Sequence, residues 1–355
     1  MRVATVLGNR PQFVKAAAVS PRLRARHEEV LIHTGQHHDE ELSAVFFEEL
    51  GLPEPDHHLQ IAGGSNSSQL GRMVVALEPL LGEIAPDVVL LYGDTNSTLA
   101  GALAAADRGL PVAHVEAGMR SLDRSQPEER NRVLTDQLSA LLCCSTEWAA
   151  QQLAREGVPG SAVVVGDVMV DVALATRERA LARTATLERL GLAPGGYVLA
   201  TAHRPANVDD AASLERLVAL LEAVGGTIVL PLHPRSLARL EQHGLAARAA
   251  KAAKLTPPLG YLDFAALLHH ARAVLTDSGG VQKEAYLAAV PCVTLRDRTE
   301  WGETVAAGWN TLVSLDAQAA VAALARTPPA ERPPLYGDGE AGARIVAALE
   351  DYAVA

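Results

Sequence analysis

Cysteine, long apolar runs and excess positive charge are all scarce in this chain, and each scarcity removes a class of protein. Three cysteines in 355 residues, with Cys143 and Cys144 adjacent, form neither a metal-ligand spacing nor a disulfide framework. They are expected to be buried, reduced packing residues. No apolar run approaches the roughly 20 residues needed to span a bilayer, and the apolar part of MRVATVLGNRPQ is too short for a signal-peptide core. A cytoplasmic protein is expected. Lys and Arg total 31 against 42 Asp and Glu, a net charge of −11. Nucleic acid and anionic membrane both favour a basic face, so neither is expected as a partner. A P-loop, a G-x-S-x-G nucleophile elbow and an H-E-x-x-H metal pair are also missing.

Hydrophobic residues at 48% and charged residues at 21% are those of a globular chain with a large core. The length fits two domains of roughly 150 to 180 residues. Short apolar runs recur in two sets, each run followed by an Ala, Leu, Glu and Arg-rich stretch suited to a helix. The first set is VATVL, EVLIHT, DVVLLY, PVAHV, LLCCS and VVVG; the second is YVLATA, TIVLPL, KLTPPL, AVLTD, CVTL and NTLVSL. Near-continuous apolar strands alternating with helices predict parallel sheets covered on both faces. The fold class expected is α/β, with two doubly wound Rossmann-like domains and an interdomain cleft. The domains are placed at 1–168 and 169–335, and residues 336–355 form a C-terminal helix packing back on the N-terminal domain.

Ligands bind open parallel sheets at the carboxyl ends of strands, so the residues following each run carry the chemistry. These junctions are GNRPQFVK, TGQHHDE, YGDTNS, VEAGMR, AHRPAN, LHPRS, TDSGG and RDRTEWGE, and they are crowded with His, Arg, Asp and Glu. In TDSGGVQKEA, Ser278, Gly279 and Gly280 open a helix with bare backbone N–H groups, which suits a phosphate; a serine cap is the plainer alternative. Glu284 lies one turn further on, where a carboxylate suits ribose hydroxyls. Arg10 and Lys15 flank the first turn of a helix begun by Pro11, and both suit a diphosphate. Asp94 at a strand end is read either as a helix cap or as a reacting group. His203 and His233 stand at equivalent strand ends, each followed closely by Arg, a pattern favouring an anionic ligand. In HVEAGMRSLDRSQPEER, Glu116 and Glu128 are candidate acid and base, while Asp123 and Glu129 are read as surface charges. GDGEAG at 337–342 matches the dinucleotide pattern by letters but follows RPPLY, not a strand, and is set aside.

Taken together, GNRPQFVK, GDTNSTLAGALAA, HVEAGMR, PEERNR, HRPAN and DSGGVQKEA resemble the non-hydrolysing UDP-N-acetylglucosamine 2-epimerase family. The resemblance implies the GT-B arrangement of two Rossmann-like domains, a homodimer, and inversion at C2 of the amino sugar through elimination of UDP and its re-addition. It implies a UDP-sugar substrate and neither a redox cofactor nor a metal. Residue by residue it makes Asp94, Glu116 and Glu128 the acid and base candidates and sets His203 beside the diphosphate. Arg10, Lys15, Arg132, His233 and the Ser278, Gly279, Gly280 turn bind UDP, with Glu284 on the ribose.

The chain departs from the commoner pattern at Asn9 to Gln12, at Pro205 and Ala206, and at TEWGE (299–303), where Thr-Glu-Arg-Pro-Glu is usual. Those departures look closer to the branch that includes epimerases of UDP-2,3-diacetamido uronic acids. A GT-B glycosyltransferase is the other alternative. Of a second, activating sugar-nucleotide site, Gln36 matches, Asp39 replaces a glutamine, and Gly71, beside Arg72, falls where an arginine is expected.

Overall fold

The computed structural model describes residues 1–36 and 47–354. Contacts divide the chain into two units, Met1–Leu174 with Tyr336–Ala355, and Ala175–Leu335. The sheet of the first unit contains β1 (Arg2–Leu7), β2 (Glu28–His33), β3 (His57–His58), β4 (Val88–Tyr92), β5 (Val112–Ala117), β6 (Leu141–Cys144) and β7 (Ser161–Val164), in the order β3-β2-β1-β4-β5-β6-β7. The second sheet contains β8 (Val198–Thr201), β9 (Ile228–Pro231), β10 (Lys254–Thr256), β11 (Ala273–Thr276), β12 (Cys292–Thr294) and β13 (Asn310–Leu312), in the order β10-β9-β8-β11-β12-β13. Every pairing in both is parallel.

Each apolar run of the sequence became one of these strands. Every residue of β4 is buried. In the second sheet Val198 and Ala200 join one hydrophobic cluster while Tyr197 and Leu199 join another. Successive side chains therefore enter cores on opposite faces, as a doubly covered sheet requires. The exception is β3, whose two histidines are too short a stretch to register as an apolar run.

Both sheets reverse their strand order at the centre, between β1 and β4 and between β8 and β11. Helices leaving two such neighbours depart to opposite faces and leave a crevice beyond the strand ends. The junctions after β1 and β4, and after β8 and β11, each carry ionisable groups at that crevice.

Cys143, Cys144 and Cys292 are buried thiols, and burial pushes Cys143 and Cys292 up to about 12. No helix among the described residues is long and apolar enough to cross a membrane. Nor do the described residues contain a group of three or more His, Cys, Asp or Glu that could hold a metal ion.

The segment GDGEAG starts a helix. Asp171 accepts hydrogen bonds from Ala341 N at 3.1 Å and Gly342 N at 2.9 Å, capping the helix Ala341–Val354 within the first unit. A Cβ at Gly342 would lie 2.2 Å from the carbonyl oxygen of Ala18, so only glycine lets this helix approach the helix Arg10–Arg24. Gly342→Val should therefore destabilise the first unit by about 1–3 kcal/mol, the usual cost of overpacking. Thermal melting checks it; an unchanged Tm would mean that the two helices separate without loss.

Candidate functional site

In the first unit the helix Arg10–Arg24 begins at the end of β1, capped by Asn9, whose side chain accepts from Gln12 N at 3.3 Å. Arg10 is half-buried at its start. Lys15, further along, forms an ion pair with Glu116 Oε2 in which both side chains are almost wholly withdrawn from solvent. Glu116 sits at the end of β5 with φ +71°, where the register against β6 shifts between Val115 and Ala117. The bulge and the left-handed backbone aim a charged side chain out of a strand that is otherwise core. Such a conformation costs a non-glycine residue roughly 1–3 kcal/mol and persists only where its surroundings fix it. Gly93 has φ +64°, and a Cβ there would lie 2.9 Å from Lys15 Nζ and 3.6 Å from Glu116 Oε2. Glycine at 93 is thus favoured by its left-handed backbone, and a side chain there would displace the Lys15 ammonium.

Asp94 does not cap the helix that follows. Thr95 does, in a capping box with Thr98, and that leaves the Asp94 carboxylate to pair with Arg132. The same guanidinium donates to Glu129 Oε2 at 2.6 Å. Glu129, expected on the surface, is only 2% exposed. Its carboxylate also accepts from Ser121 N at 2.8 Å, Ser121 Oγ at 3.0 Å and Leu122 N at 3.0 Å, which fixes the loop between Glu116 and Glu128. Asp123 is half-buried and takes up Ser125 and Gln126 of that loop. Glu128 is exposed in the first turn of the helix Pro127–Leu138 and stands apart from the other two carboxylates' ion pairs.

That helix reverses the usual arrangement. Its buried residues are Glu129, Asn131, Arg132, Thr135 and Asp136, while Leu134 is 50% exposed. Behind the strand ends His114 places Nδ1 2.7 Å from Asp136 Oδ1 and Nε2 2.6 Å from the carbonyl oxygen of Gly93. Burial alone would raise Asp136; the hydrogen bond and charge of His114 and those of Arg120 outweigh it and hold the carboxyl below its ordinary range. These buried groups were missed in the sequence because each looks like a lone charge on a strand or helix. Their only sign was the density of ionisable residues between 114 and 136.

In the second unit Asp277, fully buried at the end of β11 and next to the Ser278 to Gly280 turn, organises the histidine loop. It accepts from His203 N at 3.0 Å, Arg204 N at 2.9 Å and Asn207 Nδ2 at 3.0 Å, and lies 3.2 Å from His203 Nδ1. Ser278 immediately follows it. The side chain of Ser278 makes no capping hydrogen bond to the helix Gly279–Leu287, so the serine-cap alternative is not what the turn is built for. A Cβ at Gly280 would meet nothing within 4 Å, whereas one at Gly279 would lie 3.4 Å from Trp301 Nε1. Glu284 is half-buried on the same helix. His233 stands apart at the end of β9, where its Nδ1 accepts from Arg235 N at 3.2 Å and caps the helix Pro234–Gln242.

Of the activating-site positions, Gln36 accepts from Ser97 N at 3.0 Å and Ser97 Oγ at 2.7 Å. The guanidinium of Arg72 donates to Ala62 O at 3.0 Å and to Gly63 O, and a Cβ at Gly71 would meet nothing within 4 Å. Asp39 lies outside the described residues.

Burial by itself would raise Asp277, but the hydrogen bond and charge of His203, with the hydrogen bonds from the Arg204 backbone and the Asn207 side chain, hold it below the ordinary carboxyl range. A lowered folded value contributes stability that is complete above the unfolded value of about 3.9 and is lost as pH falls through the folded value. Asp277→Asn should cost about 1–3 kcal/mol at neutral pH by leaving buried donors mismatched. It should also flatten the fall of Tm in acid below the ordinary carboxyl range; a variant melting with the unaltered acid dependence would contradict this.

A family model described as UDP-N-acetylglucosamine 2-epimerase matches residues 22–350. A Methanococcus maripaludis protein named UDP-N-acetylglucosamine 2-epimerase homolog is 43% identical over 356 residues, covering 99% of this chain and 100% of its own length. The UDP-2,3-diacetamido-2,3-dideoxy-D-glucuronate 2-epimerase of Pseudomonas aeruginosa is 44% identical over 358 residues, covering 97% and 98%. The crystal structure of Methanocaldococcus jannaschii UDP-GlcNAc 2-epimerase in complex with UDP-GlcNAc and UDP superposes with a TM-score of 0.92 at 39% identity, over 99% of this chain and 100% of that one. Six strand-end motifs in family order, two parallel α/β sheets and these likenesses have one explanation: the chain belongs to the UDP-N-acetylglucosamine 2-epimerase family, a family of isomerases.

Proposed function

We propose that the protein interconverts UDP-N-acetylglucosamine and UDP-N-acetylmannosamine. The observation that carries this reading is the pair of ion-paired carboxylates, Glu116 with Lys15 and Asp94 with Arg132, at the ends of β5 and β4. The C2 hydrogen of the sugar is not next to a ring carbonyl, so its loss must accompany departure of a leaving group. A base removes the C2 proton, the C1–O bond to UDP breaks, and the electron pair of the C–H bond becomes the C1–C2 double bond of 2-acetamidoglucal. UDP then adds back at C1 while an acid returns a proton to the opposite face of C2. UDP leaves and returns unchanged, so the cycle needs no external reductant or oxidant.

Asp94, Glu116 and Glu128 supply the acid and base. Arg10, Lys15, Arg132 and the Ser278 to Gly280 turn stabilise the departing diphosphate, where positive charge and prepaid orientation count most. His203, oriented through Asp277, acts beside the diphosphate; His233 contributes a ring at the next strand end, and Glu284 reads the ribose.

A second reading is 2-epimerisation of a UDP-2,3-diacetamido uronic acid, favoured by the TEWGE departure and by 44% identity to the Pseudomonas aeruginosa enzyme of that name. The chemistry at C2 is the same and the substituents at C3 and C6 differ. We place the protein in the cytoplasm, where nucleotide sugars are made and consumed, in the supply of cell-surface polysaccharide. We also read it as a homodimer, because the neighbouring helices Asn66–Ile84, Asn96–Asp107 and Pro127–Leu138 expose Val75, Leu103 and Leu134.

Incubation with UDP-N-acetylglucosamine in heavy water should give product carrying deuterium at C2, read by NMR; product that keeps its original C2 hydrogen would rule the mechanism out. Faster turnover of the diacetamido uronic acid than of the acetylglucosamine substrate would select the second reading. Glu116→Gln should lower turnover by roughly 10² or more while leaving UDP affinity intact. In light scattering the chain should elute at the mass of a dimer, and replacement of Leu134 and Val75 by Lys together should yield monomers; a wild-type monomer would refute the assembly.

A further inference from the structure

We propose that His114 is a positioning residue for the epimerisation: its buried ring ties the strand end bearing Asp94 to the strand end bearing Glu116. The inference rests on the C2 chemistry proposed above and names the element that sets its geometry.

His114 and Asp136 are both 0% exposed, so water cannot stand in for the bonds between them and the strand ends, and Arg120 is 5% exposed. The carbonyl of Gly93 can only accept, so the 2.6 Å contact with His114 Nε2 is an N–H donation to it. The next residue along the chain is Asp94. At the other nitrogen, 2.7 Å away, stands Asp136 Oδ1. The second oxygen of that carboxylate accepts from Gly118 N at 3.2 Å and Arg120 Nη1 at 2.7 Å. Gly118 lies just beyond Glu116 and its φ of +71°. Arg120 in turn grips Glu156 in a fork, Nε to Oε1 at 2.9 Å and Nη2 to Oε2 at 2.6 Å, anchoring the chain of bonds to the helix Glu147–Glu156.

The ring joins both strand ends at once, its Nε2–H donating to the Gly93 carbonyl while Nδ1 lies against the Asp136 carboxylate. A glutamine at 114 reaches the Gly93 carbonyl with its amide but offers Asp136 nothing from the Nδ1 position. An asparagine at 136 places an amide where either His114 or the Gly118 and Arg120 donors require an oxygen. His114 is sealed from solvent and does not touch substrate; it acts through Gly93 and Asp136. Lys15 and Arg132 hold the carboxylates themselves, while this deeper tie fixes the distance between the two strand ends that carry them.

Three measurements on the full-length protein test the tie. His114→Gln and Asp136→Asn should each lower kcat by roughly 10², the scale of a misplaced reacting group, with UDP affinity by calorimetry unchanged. Because the misplacement slows cleavage of the C2–H bond selectively, the kinetic isotope effect with substrate deuterated at C2 should rise in both variants. A fall in kcat with an unaltered isotope effect would mean that the variants had only lost active protein, and an unaltered kcat would mean that the tie does not matter; either result overturns the proposal. Should both variants fail to fold, nitrogen-15 histidine NMR of the unmutated chain still decides, since it should reveal one buried ring whose Nε2–H is hydrogen-bonded and slow to exchange with solvent. A ring without hydrogen on Nε2, or one whose Nε2–H exchanges freely, would overturn it. If the unmutated protein exchanges no C2 hydrogen with solvent, the proposed function fails, while the NMR result on the tie stands by itself.

Discussion

Parallel strands all present their carboxyl ends to one edge of a sheet, and where the strand order reverses nothing covers that edge. This constraint acts twice in the chain, between β1 and β4 and between β8 and β11. It explains why Arg10, Lys15 and Asp94, far apart in sequence, share a neighbourhood with Glu116 of the adjacent β5, and why His203 and Ser278 share Asp277. Chemistry collects there because backbone N–H groups, helix starts and short polar junctions have no hydrophobic duty to perform.

Collecting charges at a buried edge creates its own cost, since an ionised group withdrawn from water must be paired and hydrogen-bonded. The first unit meets it by turning the helix Pro127–Leu138 inside out. Glu129, Arg132 and Asp136 face inward along one side and satisfy, in turn, the loop at Ser121, the carboxylate of Asp94 and the ring of His114. The second unit meets it with single residues, Asp277 for the histidine loop and Glu300 for Arg296, which it grips at 2.8 and 3.0 Å. In both, removal of one partner leaves a buried charge alone, so the supports are as constrained as the residues they serve.

This division explains what was legible in the sequence. The strands were readable because a doubly covered parallel strand must be apolar throughout; the two-residue β3 and the edge strand β7, exposed along its length, fall outside that rule. The junctions were readable because topology forces polar residues to follow strands. The roles of individual charges were not. Asp94 resembles a helix cap until Thr95 is seen to hold the capping box, and Glu129 resembles a surface charge until its carboxylate is found 2% exposed under a loop. Neighbours in sequence, Glu128 and Glu129, point to solvent and to the interior; a helix turns by about 100° per residue, and no local signal says which face the fold will bury. An apolar stripe would ordinarily settle the matter, but in this helix the leucine at 134 faces outward.

The departure at TEWGE has a similar resolution. Where the resemblance sets an arginine, the chain has Trp301, and the ammonium of Lys283 lies 4.0 Å from the centroid of that indole. Lys283 is 1% exposed and Trp301 is 7% exposed, so the cation rests against an aromatic face with little water to compete for it, the setting in which such contacts are strongest. The Trp301 Nε1 side of the ring faces Gly279 of the phosphate turn. Positive charge thus stands against Trp301 on the helix Gly279–Leu287, which begins at the Ser278 to Gly280 turn. The departure is therefore compatible with the proposed binding of a diphosphate, and under that proposal the choice between an acetylglucosamine and a diacetamido uronic acid turns on groups near the sugar instead of those around the phosphates.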